Sequence, residues 1–271
     1  MPELPEVETT CRGIAPYVVG KTVTTVTVRQ RQLRWPVPTG LQRKLLGHKV
    51  VLLERRAKYI LFRFDHGCLI QHLGMSGSLR IVTGDRPPEK HDHIDIEFNS
   101  GVRLRFRDPR RFGSLHWTKA DPLQHPLLAN LGPEPLGEDF NADYLYRKSR
   151  GRKQAVKTFI MDSRIVVGIG NIYASEALHL SGILPGRAAG RLGKDRYEKL
   201  VQAVKRVLQK AIKAGGTTLR DFASGEGQPG YFSLQLKVYD REGKPCERCG
   251  GPIKQIRIGQ RSTYYCIKCQ T

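Results

Sequence analysis

The most regular pattern in the chain is the stretch HIDIEFNSGVRLRF, residues 93–106. Apolar residues occupy every second position, both before and after the central Asn-Ser-Gly. Strict alternation is typical of a half-buried strand, and two such runs joined by a short glycine-containing turn are typical of a β-hairpin. The stretch therefore predicts a hairpin with one face against a core.

Similar apolar runs surround this hairpin between residues 21 and 117. They are short, rich in Val, Ile, Leu and Phe, and separated by turn residues. The runs cover residues 23–28, 50–53, 59–64, 68–73, 78–82, 94–98 and 102–106. About eight short strands at such spacing indicate a β-sandwich or a barrel. Before them, residues 4–15 place apolar side chains at helical spacing, and we expect Pro16 to end this helix.

The pattern changes after residue 131. Gly132–Gly137 contains two prolines and is typical of a linker. Helical spacing predicts one helix over residues 171–180 and another over 197–212, with Asp195 as its N-cap and Gly215-Gly216 at its end. We divide the chain into an N-terminal domain (1–131), a linker (132–137), a helical domain (138–235) and a small β module (236–271).

The chain is strongly basic. Its 271 residues include 46 Lys and Arg against 25 Asp and Glu, which gives a net charge of +21. Such a charge favours a polyanionic partner, and nucleic acid is the commonest, although ribosomal and nucleoid proteins share this composition. The sequence has neither an apolar run that could cross a membrane nor the apolar segment of a secretory signal. We expect a cytoplasmic protein with no membrane partner.

Four of the six cysteines form two Cys-x-x-Cys pairs separated by sixteen residues. The pairs are Cys246 with Cys249 and Cys266 with Cys269. This spacing predicts one structural Zn²⁺ held by four thiolates, with no open position for catalysis and no organic cofactor. The hairpin between the pairs carries Lys254, Arg257 and Arg261, which we expect to contact phosphates. Cys11 and Cys68 are predicted to be buried apolar residues.

The chain begins Met1-Pro2-Glu3-Leu4-Pro5-Glu6-Val7-Glu8. Because proline is small, we expect Met1 to be removed. The exposed amine of Pro2, with a pKa near ~8, is then partly uncharged and can attack a carbonyl carbon to form an imine. Glu3 can act as a proton donor beside it. The same residues also suit the first turn of an ordinary helix, so both interpretations stand on this stretch alone.

Three turns and one helix start carry further candidates. Arg55-Arg56-Ala57-Lys58 presents a lysine between two strands. The turns Gly74–Gly77 and Asp108–Gly113 place Met75 and Phe112 beside glycines, where they act either as wedges between base pairs or as minor core contacts. A glycine-rich turn before Asn171 opens onto a helix, which is typical of a phosphate site.

Together these segments resemble the bacterial formamidopyrimidine-DNA glycosylases, also called 8-oxoguanine DNA glycosylases. The matching segments run in the family's order from residue 2 to residue 270. They are residues 2–9, 56–59, 72–77, 90–93, 108–113, 168–176 and the four-cysteine finger. The resemblance implies an α+β fold of two domains. The first is a β-sandwich with an N-terminal helix, and the second is a helix–two-turn–helix domain with a four-cysteine zinc finger hairpin.

The resemblance also implies a bifunctional enzyme of base excision repair. It would excise 8-oxoguanine opposite cytosine and formamidopyrimidines, and then cut the strand by β,δ-elimination. Its partner would be double-stranded DNA with an oxidised purine or an abasic site, bound by a monomer. By resemblance, Pro2 is the nucleophile and Glu3 protonates the sugar ring oxygen, while Lys58 and Arg261 assist the β- and δ-eliminations.

The resemblance implies DNA contacts as well. The target base must leave the duplex stack, and Met75, Arg110 and Phe112 would fill the vacated space, with Arg110 bonding the orphaned cytosine. The loop 217–231 would close over the extruded base. The remaining implied contacts are His91, Arg152, Lys157 and Asn171.

Two alternatives remain open. A glycosylase for oxidised pyrimidines, similar to endonuclease VIII, shares the Pro-Glu start but commonly continues Gly-Pro-Glu. Leu4 here, with Met75 and the Arg110–Phe112 turn, favours the purine enzyme. The second alternative is a zinc-ribbon DNA-binding protein without activity, in which Pro2 and Glu3 are incidental.

Overall fold

The computed structural model describes residues 2–215 and 236–271, which divide into two compact units. The first unit contains residues 2–129, and the second contains residues 130–213 and 236–271. The predicted closing loop, residues 217–231, lies outside the described residues. None of the helices within the described ranges combines the length and the apolar character needed to cross a membrane.

The first unit is a β-sandwich with one long helix. Its elements are α1 (Leu4–Val18), β1 (Val23–Val28), α2 (Leu41–Leu45), β2 (Leu52–Arg56), β3 (Tyr59–Phe64), β4 (Gly67–His72), β5 (Ser78–Val82), β6 (Asp92–Phe98), β7 (Arg103–Arg107) and β8 (Ser114–Thr118). One antiparallel sheet has the order β1-β6-β7-β5, and the other has the order β2-β3-β4-β8. The predicted hairpin is β6–β7, with Ile96 opposite Leu104.

The apolar positions of both sheets and of α1 form a single buried core. Ile14, Phe62, Leu69 and Phe106 are among its members, each at most 2 % exposed. The predicted burial of the two remaining cysteines is confirmed, and burial raises the pKa of each thiol to about 12, so neither is a reactive thiolate. The alternating sequence predicts one apolar face on each sheet, and the sandwich buries these two faces in its core.

Two details of the helix predictions are wrong. Helix α1 continues past Pro16 to Val18. A proline in the last turn removes only one backbone donor, and the chain recovers with a bond from the Val19 N–H to the Ala15 carbonyl at 3.0 Å. Asp195 lies inside the first turn of its helix, which begins at Lys194, instead of capping it from outside.

The second unit packs helices against a small hairpin. Its elements are α3 (Ala142–Ser149), α4 (Val156–Met161), α5 (Asn171–Leu180), α6 (Lys194–Lys213), β9 (Ile253–Ile258) and β10 (Arg261–Cys266). Helices α3 and α5 pack against α6, and α5 also contacts β10. The predicted linker, Gly132–Gly137, is hydrogen-bonded to this unit, since the Gly132 N–H donates to the Ser163 carbonyl at 2.8 Å.

A buried ion pair network crosses the sheet of the first unit. Asp95 is 1 % exposed and accepts two hydrogen bonds from Arg105 and one from Arg29, at 2.6–2.9 Å. Burial alone would raise the pKa of Asp95, but the two guanidinium groups outweigh that effect and hold the pKa below its usual value. A carboxyl group whose pKa falls on folding stabilises the protein above its unfolded pKa, near ~3.9, and loses that effect as the pH falls below it.

We therefore expect Asp95→Asn to lower the free energy of unfolding at pH 7 by about 3 kcal/mol, because it leaves buried Arg105 short of its main partner. Urea unfolding followed by circular dichroism measures the change. The same variant should lose less stability than the parent between about pH 5 and pH 3. Glu97→Gln, on the same strand as Asp95, removes a half-buried partner of Arg103 and should cost less than about 1 kcal/mol; equal losses in both variants would contradict this expectation.

Candidate functional site

The start of α1 holds the proposed nucleophile and acid in fixed positions. Pro2 and Glu3 are both buried. The Glu3 N–H donates to the Glu6 carboxylate at 2.8 Å, and the two residues form a reciprocal capping box at the helix N-terminus. Glu6 is a functional residue that was not among those predicted from the sequence, although a glutamate three residues after a helix cap is the signal of such a box.

The turn that carries Lys58 is tied to α1. Ala57 adopts a left-handed backbone with a φ of 56°, and its carbonyl accepts from Arg55 at 3.0 Å. Arg55 also donates to the carboxylate of Glu8, one turn beyond the start of α1, at 2.7 Å. Burial would raise the pKa of Glu8, but the hydrogen bonds from Arg55 and Arg12 keep it below its usual value. Glu8 is therefore an ionised anchor between the helix and the Lys58 turn.

His72 is a neutral group at the end of β4. Burial is the main cause that lowers its pKa to about 4, and the positive charges of Lys58 and Arg34 add to it. Its Nδ1 accepts a hydrogen bond from the Gly74 N–H at 2.9 Å, and its ring lies 4.8 Å from that of Tyr59. Since His72 stays uncharged at neutral pH, it adds no positive charge beside Lys58, and its hydrogen bond to Gly74 shapes the loop that follows.

Asp108 joins the two glycine-containing turns. Its side chain is fully buried and accepts from the Ser76 hydroxyl at 2.8 Å and from the Gly113 N–H at 2.7 Å. The Ser76 hydroxyl in turn accepts from the Arg110 N–H at 3.2 Å. One buried carboxylate therefore fixes both the turn that carries Met75 and the turn that carries Phe112.

The two turns also touch directly. A Cβ on Gly74, whose φ is 73°, would lie 2.4 Å from the backbone of Phe112, so only glycine permits this approach. Phe112 is 40 % exposed, and the Arg110 guanidinium lies over its ring at 4.9 Å. Met75 is half-buried. Phe112 is therefore not a minor core residue, because its ring projects from the turn.

In the second unit, Lys157 of α4 is buried and links α4 and the start of α5 to the finger hairpin formed by β9 and β10. Its ammonium donates to the side chains of Asn171 at 2.6 Å and Thr263 at 2.7 Å, and to the Ser262 carbonyl at 3.1 Å. Asn171, at the start of α5, donates to the same carbonyl at 3.0 Å. A fully buried ammonium is not an exposed phosphate contact, so the structure favours a positioning role for Lys157.

The remaining predicted DNA contacts lie at or near the surface. Arg110, Arg152 and Arg261 are exposed, while His91 and Asn171 are half-buried. Arg261 begins β10 immediately after the turn Gly259-Gln260. Both turn residues have positive φ, as in the two-residue turns that match the twist of a hairpin.

The four cysteines of the finger converge as zinc ligands. All four sulfur atoms lie within 4.8 Å of one another. Sγ of Cys246 is 3.9 Å from that of Cys269, and Sγ of Cys249 is 3.4 Å from that of Cys266. Tetrahedral zinc with Zn–S bonds of ~2.3 Å needs sulfurs about 3.8 Å apart, so the set fits a closed four-thiolate zinc site.

Helix α5 supports this site from outside. Glu176 accepts hydrogen bonds from three successive backbone N–H groups, those of residues 237–239, each at 2.9 Å. His179 is buried and its Nε2 lies 3.5 Å from Sγ of Cys246. Burial, with a smaller effect of Arg248, lowers the pKa of His179 to about 4. A neutral imidazole that donates its single N–H to a thiolate orients that ligand.

The β-sandwich, the paired helices and the zinc finger are together the architecture of a DNA glycosylase, an enzyme of base excision repair. The chain belongs to the formamidopyrimidine-DNA glycosylase family. Family models described as the Formamidopyrimidine-DNA glycosylase N-terminal domain, the Formamidopyrimidine-DNA glycosylase H2TH domain and the Zinc finger found in FPG and IleRS match residues 1–115, 131–223 and 243–271. The four cysteines accordingly hold a structural zinc ion.

Individual relatives cover the whole chain. The formamidopyrimidine-DNA glycosylase of Syntrophotalea carbinolica is 59 % identical over 100 % of both chains. The structure of Lactococcus lactis Fpg with DNA that contains an abasic site is 35 % identical, with a TM-score of 0.91 over 99 % of both chains. A structure of MutM with DNA that contains carbocyclic 8-oxo-G is also 35 % identical, with a TM-score of 0.91 over 99 % of both chains.

We expect His179→Ala to weaken zinc binding about 10–100-fold, because it removes the group that orients the Cys246 thiolate. Competition with a chromogenic chelator measures the affinity. His125→Ala, a histidine of the first unit remote in sequence from the finger, is the control and should hold zinc as the parent does. Equal affinities in all three proteins would show that the imidazole only fills space.

Proposed function

We propose that this protein removes oxidised purines from double-stranded DNA and then cuts the strand at the resulting abasic site. The observation that carries the proposal is the buried Pro2-Glu3 pair, fixed by the capping box at the start of α1. The relatives solved with 8-oxo-G DNA and with abasic-site DNA support the same substrates for this chain. The family's name supports formamidopyrimidines as a further substrate.

The chemistry begins at the amine of Pro2 once Met1 is removed. The uncharged amine attacks C1′ of the damaged nucleotide, Glu3 protonates the opening sugar ring, and the base departs. The resulting cationic imine links Pro2 to the sugar and makes the C2′ proton acidic. Loss of that proton expels the 3′ phosphate, and a second elimination expels the 5′ phosphate. Lys58 and Arg261 bind these phosphates and assist the two eliminations.

The two turns of the first unit replace the extruded base. Phe112 is exposed and Met75 half-exposed, so both are available to insert into the base stack. Arg110, held by the Ser76 hydroxyl at its backbone, bonds the orphaned cytosine. Buried Asp108 keeps the two turns in place even without DNA. The entropic cost of ordering them therefore falls on folding and not on DNA binding.

The basic surface binds the phosphate backbone. His91, Arg152 and Asn171 contact phosphates directly, and the net charge of +21 supports a binding mode dominated by the backbone. Lys157 acts through Asn171 and the strand that begins at Arg261. The protein works as a monomer, in the cytoplasm and at the nucleoid. We keep the division into residues 1–131, 132–137, 138–235 and 236–271 as the proposed domain organisation.

Borohydride trapping tests the proposal. Duplex DNA with one 8-oxoguanine opposite cytosine should yield a covalent adduct, because borohydride reduces the imine, and mass mapping should place the adduct on Pro2. Pro2→Gly should retain an N-terminal amine, now primary instead of secondary, but lose most of the rate, since the rigid ring is gone. Pro5→Ala, at another proline of the same buried turn, should trap as the parent does. An adduct on a lysine, or none from protein whose mass shows Met1 absent, would overturn the proposal.

Glu3→Gln separates the two activities. It should abolish excision of intact 8-oxoguanine, because departure of the base needs the carboxylic proton. It should spare cleavage of a preformed abasic site, which has no base to expel. Gel assays on the two substrates measure both rates, with Glu97→Gln as the control. Equal losses on both substrates would contradict the assigned role. Better excision of thymine glycol than of 8-oxoguanine by the parent would favour the endonuclease VIII-like alternative.

A further inference from the structure

Three potential metal ligands converge at one end of the β2-β3-β4-β8 sheet. Asp65 and His66 form the turn between β3 and β4, and His48 lies between α2 and β2. Asp65 Oδ1 is 2.8 Å from Nδ1 of His66 and 3.4 Å from Nδ1 of His48. The three ligand atoms lie within 4.8 Å of one another. Neither the repair chemistry nor the zinc finger uses these residues.

The partners of His66 fix the orientation of its ring. Its Nε2 lies 2.9 Å from the Lys44 carbonyl oxygen. A carbonyl only accepts, so Nε2 carries the proton and donates it. Nδ1 faces the Asp65 carboxylate, which also only accepts, so a metal ion bound there would take the place of a proton on Nδ1. Metal-binding histidines commonly donate their second nitrogen to a backbone carbonyl in this way, which orients the ring for the ion.

His48 completes the set from the opposite side. Its ring stacks on that of His66 with centroids 3.7 Å apart and an angle of 28°. The stacked rings place both Nδ1 atoms beside the same carboxylate oxygen, Oδ1 of Asp65. A divalent cation between these atoms would be bound by both Nδ1 nitrogens and by the negatively charged carboxylate.

We propose that His48, Asp65 and His66 form a second metal site that binds Zn²⁺ or a related divalent transition-metal ion, with water in the fourth position. Two imidazoles and one carboxylate are ligands of zinc, nickel and copper, whereas magnesium and calcium prefer oxygen alone. Tetrahedral zinc with bonds of ~2.0 Å needs ligand atoms about 3.3 Å apart. Oδ1 of Asp65 lies 2.8 Å from Nδ1 of His66 and 3.4 Å from Nδ1 of His48, and these two distances bracket that spacing.

The site joins segments far from the repair chemistry. In the β3–β4 pair, Tyr59 lies opposite His72 at the end that carries Lys58, and Asp65-His66 turns the chain at the other end. Six residues of strand at ~3.3 Å each separate the two ends by about 20 Å. A metal ion here would link the connection after α2 to the β3–β4 hairpin and stabilise the sandwich, because it binds only the folded chain.

The structure supplies its own reporter. The Trp117 ring lies 5.1 Å from the His66 ring. It packs onto the backbone of Gly67, where a Cβ would come within 2.5 Å of the indole. The chain has two tryptophans, so Trp35→Phe leaves Trp117 as the only one. Paramagnetic Ni²⁺ bound beside His66 quenches the fluorescence of Trp117.

The test titrates Ni²⁺, without DNA, into Trp35→Phe protein that carries a single zinc ion, the one in the finger. We expect saturable quenching with one equivalent, and no quenching by Mg²⁺. Adding His48→Gln or Asp65→Asn should raise the apparent Kd at least tenfold; Asp65 is exposed and His48 is half-buried, so Asp65→Asn tests the carboxylate without a loss of packing. His125→Ala removes a histidine from the other close pair, His116 and His125, whose rings are 5.5 Å apart, and should bind as the parent does.

Equilibrium dialysis against Zn²⁺ gives an independent count. The Trp35→Phe protein should hold two zinc ions per chain, one in the finger and one in the proposed site, and the His48→Gln and Asp65→Asn variants should hold one. Unchanged Ni²⁺ affinity in both variants, or a second zinc that both variants retain, would overturn the proposal. So would quenching that does not saturate.

Discussion

The hydrogen-bonded, buried carboxylate of Asp108 is the interaction on which the two turns proposed to contact DNA depend. It accepts from Ser76 in one turn and from Gly113 in the other, and the Ser76 hydroxyl then holds the backbone of Arg110. A buried carboxylate is costly unless it is hydrogen-bonded, so the donors cannot move away without a large loss of stability. The turns are thereby rigid, although they are exposed and contain glycine.

Lys157 is the buried polar anchor of the second unit, as Asp108 is of the first. Its buried ammonium donates to one side chain at the start of α5 and to two groups of β10. The buried charge of Lys157 therefore holds α4, α5 and the finger hairpin in one arrangement. Zinc adds a second restraint at the far end of the hairpin, where Glu176 and His179 of α5 support the cysteines. In both units, buried polar groups orient the exposed groups that we propose contact DNA.

Strand positions and the zinc ligands follow directly from the sequence. Alternation with a period of two predicts β6 and β7, because one face of the sheet must be apolar. The Cys-x-x-Cys spacing predicts the metal site, because two tight turns suffice to present four thiolates. Helix α5 is predicted with its observed bounds. By contrast, α2, α3 and α4 have five to eight residues, which is too short for helical periodicity to stand out.

The sequence by itself determined the strands, the long helices, the zinc ligands and the residue types of the Pro2-Glu3 pair, since these depend on local spacing. Only the tertiary structure decided the sheet order β1-β6-β7-β5, the burial of Lys157 and the exposure of Phe112. Whether a lysine contacts phosphate or acts as an internal anchor depends on residues more than a hundred positions away, Ser262 and Thr263. Such contacts form through the packing of distant segments, which local sequence patterns do not record.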